Sequence, residues 1–140
     1  KVKALARDNA WLGEATGASI KIVSPLLKFL PPGLACRIIF IDRNLDEVVR
    51  SQRVMIERQG GTGARLTDER LKEAFRKQVE TAKIHMARSH MPVLYLSYDL
   101  CVEHAAEAAR RINAFLGGGL DEAAMAAAVD AGLKRQKATA

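Results

Sequence analysis

The stretch CRIIFIDRNLDEVVRSQRVMIE, Cys36 to Glu57, leaves this chain little freedom in how it folds. Cys36, Ile38, Ile39, Phe40 and Ile41 are apolar and mostly β-branched, interrupted only by Arg37. That is the pattern of a central strand in a parallel sheet covered on both faces. Asp42 ends the run, and Val48, Val49, Met55 and Ile56 return at helical spacing. A helix therefore begins near Asn44 or Leu45, and the segment reads as a βα unit with Arg43 at its corner.

A strand end facing a helix start suits anion binding. The first turn of a helix offers free backbone N–H groups and roughly half a positive charge from the macrodipole. Arg43 overhangs this corner, and Ser51, two helical turns on, projects from the same side. The competing reading pairs Arg43 with Asp46 or Glu47 and makes Ser51 an ordinary surface residue.

The other segments extend the α/β pattern. Residues 1–17 form an Ala-rich helical pattern in which Val2, Leu5, Ala6 and Leu12 recur on one face, with Trp11 as a core anchor. Ala18 to Val23 is short and β-rich between Gly17 and Pro25, which predicts a strand. Ser24 is placed to cap a short helix with Pro25 at its first position, running to Leu30 before Pro31 and Pro32 stop it. Gly60, Gly61 and Gly63 with Arg65 follow a helix rather than a strand and lack Lys-Ser or Lys-Thr, so they predict a connector or a lid rather than a phosphate loop. Thr67 or Asp68 caps a long helix to about Arg88, with Leu71, Phe75, Val79, Ala82 and Met86 on its buried stripe. Pro92 forbids continuation, and Val93, Leu94, Tyr95 and Leu96 read as a second fully buried strand. A helix ending at Phe115, Leu116 and Gly117 and another from Asp121 to about Ala131 complete the order.

Taken together, these residues resemble the PAPS-dependent sulfotransferases, PAPS being 3'-phosphoadenosine 5'-phosphosulfate. An apolar strand ending in Arg, then Asn, an acidic pair, a hydrophobic helix turn and Ser at the eighth position resembles that family's 3'-phosphate-binding segment. The resemblance makes Arg43 the bidentate phosphate ligand and Ser51 the hydroxyl donor, roles that a guanidinium fork and a hydroxyl suit. Tyr98, Asp99 and Leu100 after the second strand, with Phe115, Leu116 and Gly117 later, resemble the family's closing strand, corner and helix. Tyr98 would lie at the adenine, its alternative being a core tyrosine that ties its hydroxyl to a loop. The segment ASIKIVSPLLKFLPP is similar to the family's pre-acceptor strand, and with it the resemblance spans most of Ala18 to Gly117.

The resemblance implies an α/β, P-loop-NTPase-like fold with a parallel sheet flanked by helices. It implies PAPS as sulfuryl donor, no metal, and a small-molecule or saccharide acceptor carrying a hydroxyl or amine. Two departures stand out. Many members carry a histidine base two residues after the Lys of the pre-acceptor strand, whereas Lys21 here is followed by Ile22 and Val23, leaving the catalytic base unassigned. The loop that cradles the 5'-phosphosulfate has no counterpart in these 140 residues, so the chain reads as a single domain that is a fragment of a longer sulfotransferase. In the tail, Lys134 and Arg135 share only the charge of the family's last phosphate ligands.

Composition narrows the classes. At 49% hydrophobic and 27% charged, the chain has the make-up of a soluble globular domain, and its net charge of +6 fits a phosphate- or sulfate-bearing partner. Cys36 and Cys101 show neither metal spacing nor a disulfide framework and read as reduced and buried. No apolar run approaches the roughly 18 residues of a membrane span, so the expectation is a cytoplasmic protein without a membrane partner. Two rivals remain: another phosphate-loop enzyme such as a small-molecule kinase, and a non-enzymatic basic binding module. Against the latter, aromatic residues are only 5% and the basic residues are spread over several elements, so no nucleic-acid partner is expected.

Overall fold

The computed structural model describes residues 2–58 and 66–133. The Gly60–Gly63 loop with Arg65, and the basic pair Lys134 and Arg135, lie outside the described residues. The chain divides into two compact units, Lys1–Cys36 with Ala74–Pro92, and Arg37–Glu73 with Val93–Ala140.

The second unit carries the sheet. Strand β1, Ile38–Asp42, pairs in parallel with β2, Val93–Ser97, in the register Ile38↔Val93 through Asp42↔Ser97. Between them the chain makes α1, Leu45–Arg58, and α2, Asp68–Ser89, so the strands are joined by the helical crossover that parallel pairing requires. After β2 come α3, Tyr98–Glu103, α4, Ala105–Leu116, and α5, Glu122–Ala127. Phe40, Val49, Leu96, Ala108 and Ala109 are the buried apolar residues of this unit.

Both strands form where their apolar runs place them, but they are not covered throughout. Ile41 is 50% and Tyr95 45% exposed, while Phe40 and Leu96 are buried. The fully buried strands expected from the continuous runs are thus half-buried ones. The sheet among the described residues has only two strands, so each of them is also an edge. The paired rings of Phe40 and Tyr95, tilted by 55° with centroids 5.7 Å apart, join the strands across one face.

The helix ends are fixed locally. The Asn44 side chain accepts the Asp46 N–H at 2.9 Å, and its carbonyl accepts the Val48 N–H at 3.1 Å, which starts α1 where the sequence places it. Thr67 Oγ1 accepts from the Arg70 N–H at 3.3 Å at the start of α2. One helix was expected after β2, but His104, at φ −131° and ψ 53°, separates α3 from α4. Helix α4 ends on Gly117 at φ 105°, a conformation that side chains disfavour, and Arg37 Nη1 donates to the exposed Leu116 carbonyl at 2.7 Å.

The first unit is built of tight helical turns packed with the later part of α2. Three 3-10 helices, Val2–Ala4, Ala10–Ala15 and Ser24–Phe29, contribute Leu12 and Leu27 to a core that also holds Leu5, Leu30, Ala82, Met86 and Met91. The long amphipathic helix expected at the start is broken at Asp8, whose carboxylate accepts the Ala10 N–H at 3.0 Å and whose carbonyl accepts the Trp11 indole N–H at 3.1 Å. Such short side-chain bonds to the backbone compete with a continuous helix. Trp11 is half-buried rather than a core anchor.

Residues 18–23 do not form the expected strand. Among the described residues no strand pairs with them, and Val23 is 57% exposed. β-propensity needs a pleated, half-buried surface to act on. The turn after it is helical as expected, with Pro25 in its first turn, but Val23 rather than Ser24 is the capping residue and makes no side-chain bond. The stripe on α2 is buried at Ala82 and Met86 and half-buried at Leu71, Phe75 and Val79. Cys36 and Cys101 are free thiols, both half-buried, and Cys36 Sγ lies 3.6 Å from Met91 Sδ. Among the described residues, no helix is long and apolar enough to cross a membrane.

Candidate functional site

The register of the sheet determines what meets at its C-terminal end. Because Asp42 is opposite Ser97, the next residues, Arg43 and Tyr98, emerge side by side. The Arg43 guanidinium carbon sits 4.4 Å from the centroid of the Tyr98 ring, a cation–π contact. Ser97 Oγ accepts the Leu100 N–H at 3.1 Å and holds the start of α3, which directs the chain away from β2 at Tyr98. The place is the one where open α/β sheets bind ligands, outside the carboxyl ends of parallel strands.

On its other side Arg43 meets α1. Its Nε lies 3.5 Å from Glu47 Oε2, with the Glu47 side chain only 4% and the Arg43 side chain 27% exposed. The two atoms do not hydrogen-bond each other, so the contact is an ion pair. Asp46, the other candidate partner of Arg43, is taken by Lys72, whose Nζ donates to its Oδ1 at 2.7 Å and its Oδ2 at 2.8 Å. Arg53 similarly donates to Asp68 Oδ1 at 3.0 Å and to the Leu66 carbonyl, fastening α1 to the start of α2.

Ser51 is half-buried on α1. It continues the spacing of Arg43 and Glu47, one turn beyond Glu47 and so about 6 Å further along the helix axis. The structure therefore joins Arg43 and Tyr98 directly, and places Ser51 on the stripe that runs from Arg43 through Glu47. The burial of Glu47 was not foreseen, since a carboxylate in a first helical turn is ordinarily solvated. Its only sequence signal was the four-residue spacing from Arg43.

Lys21 and Val23 are both exposed in the irregular segment of the first unit. His85 is half-buried with Nε2 making no hydrogen bond, His90 is exposed at φ 57°, and His104 is exposed at the break between α3 and α4. A cavity of about 210 Å³ in the first unit is lined by Ser24, Pro25, Lys28, Lys77, Gln78, Thr81 and Ala82, none of them among the residues at the sheet corner. Burial pushes the Cys36 and Cys101 thiols up, and hydrogen bonds from Arg110 and Arg111 hold the Glu107 carboxyl down.

The chain matches no protein-family model, no curated protein and no solved structure.

Proposed function

We propose that this chain is the 3'-phosphate-binding portion of a PAPS-dependent sulfotransferase with a P-loop-NTPase-like fold. The observation that carries the reading is the stacking of Arg43 on Tyr98 at the paired ends of two parallel strands. Two residues singled out on separate segments, one for phosphate and one for adenine, lie together. The fork of Arg43 takes the 3'-phosphate, Ser51 adds a hydroxyl donor, and the Tyr98 ring, already stacked on one face by Arg43, offers its second face to the purine.

The reaction is an in-line displacement. The bond between sulfur and the bridging oxygen of PAPS breaks while a bond forms from sulfur to the acceptor oxygen or nitrogen. The acceptor's proton passes to solvent, and adenosine 3',5'-bisphosphate leaves with the bridging electron pair. The acceptor is a small molecule or a saccharide. The present residues hold the leaving nucleotide, and positive charge near it stabilises the departing phosphate.

Calorimetric titration with adenosine 3',5'-bisphosphate tests this. Binding is expected, with a tenfold or greater loss in Arg43→Ala, since a hydrogen bond to a charged group contributes about 1.5–3 kcal/mol. Adenosine 5'-monophosphate, which lacks the 3'-phosphate, should bind much more weakly. Equal affinity for the two nucleotides, or an Arg43→Ala variant that binds as well as the parent, would rule the reading out.

A further inference from the structure

We infer that Glu47 is a built-in counter-anion for Arg43, holding the guanidinium when the corner is empty and lowering its affinity for incoming anions. The inference rests on the anion site proposed above and concerns how that site is regulated. Glu47, 3% exposed, is the buried charged residue among those described, and a carboxylate is kept there only beside a cation. Arg43 is a cation within reach, 3.5 Å away, and Asp46, the other acid of that helical turn, is engaged by Lys72.

The pair is arranged for sharing rather than for locking. Arg43 faces Glu47 through Nε, which completes no hydrogen bond, while its guanidinium carbon lies 4.4 Å from the centroid of the Tyr98 ring. A phosphate approaching the Nη fork meets a cation whose charge is already largely cancelled. Replacing Glu47 by Gln keeps the size of the side chain and removes the competing charge. A purely structural Glu47 makes the opposite prediction, because burying an unpaired guanidinium would loosen the corner and weaken binding.

The test uses two probes, adenosine 3',5'-bisphosphate and inorganic pyrophosphate, titrated into the 140-residue chain and its Glu47→Gln, Arg43→Ala and doubly substituted variants. Glu47→Gln should raise affinity about five- to tenfold, the scale of one like charge removed from a half-screened site. The gain should vanish in the Arg43→Ala background. A gain seen with pyrophosphate alone supports the counter-anion and removes the nucleotide reading. Unchanged or weaker binding of both probes overturns the inference, as does a gain that survives without Arg43. Because Glu47→Gln could unfold, the unmutated chain supplies a second readout. The carboxyl carbon resonance of Glu47 should shift as pyrophosphate saturates the corner, and a resonance that stays still under saturation also overturns the proposal.

Discussion

Arg43 meets two neighbours of different kinds, the ring of Tyr98 and the carboxylate of Glu47. The ring of Tyr98 holds the guanidinium by its face, so Tyr98→Phe, which retains the ring, should leave nucleotide affinity within about twofold, while Tyr98→Ala should lower it about threefold or more, as loss of a cation–π contact of ~0.5–1 kcal/mol implies. A tyrosine kept for its hydroxyl would reverse that order, and calorimetry on the two variants distinguishes them. Arg43→Lys keeps the charge but loses both the fork and the flat stacking surface, so it should bind little better than Arg43→Ala. The cysteines make a separate residue-level test. Burial raises both thiol pKa values, so less thiolate is present at a given pH than in an unperturbed cysteine. Alkylation of Cys36 and Cys101, followed by mass spectrometry of each peptide, should be slow near neutrality and reach half its limiting rate at a higher pH than free cysteine. A half-point at or below that of the free amino acid would contradict the assignment.

At the scale of elements, the joint between α4 and α5 shows how one side chain can hold two helices. Asn113 Nδ2 donates to Glu122 Oε1 at 2.6 Å, and its Oδ1 accepts the Leu120 N–H at 3.0 Å. Asn113→Ala should cost about 1–3 kcal/mol and lower Tm by several degrees, and Asn113→Asp should be at least as damaging because its carboxylate would face Glu122. A thermal melt in which Asn113→Asp matches the parent would show that the two bonds do not carry the joint. Parts of these elements were legible from local signals, Asn44 and Thr67 as caps, Gly117 as a stop and the apolar runs of β1 and β2 as strands, whereas the break at Asp8 and the division at His104 were not. Residues 18–23 misled because alternating β-formers specify a strand only when a neighbouring strand supplies the hydrogen bonds. Exposure of Ile41 and Tyr95 was equally hidden, since an apolar run does not reveal how many strands flank it. The meeting of Arg43 and Tyr98 depends on the Asp42↔Ser97 register, a non-local pairing. The choice of Glu47 over Asp46 depends on Lys72 arriving from another helix. Spacing could propose each of these residues, but only tertiary pairing could decide among them.

For the whole molecule, the charge of +6 and the short-range corner predict different responses to salt. Net charge acts over distance, attracting an anionic nucleotide before contact, and that attraction weakens as the screening length contracts from about 10 Å at 0.1 M to about 3 Å at 1 M salt. The fork of Arg43 acts at contact, where screening by mobile ions is much smaller because the Arg43 side chain is only 27% exposed. Stopped-flow binding of adenosine 3',5'-bisphosphate across that salt range should therefore show the association rate falling several-fold, while the dissociation rate changes by less than about twofold. Arg43→Ala should invert the pattern. The basic surface that remains would still steer the ligand in, so the association rate should stay near that of the parent at each salt, and the dissociation rate should rise at least tenfold. If salt instead acts mainly on dissociation in the parent, the ligand is held by diffuse charge rather than by the corner. Arg43 and Tyr98 would then be a structural pair, and the basic surface itself would be the binding element.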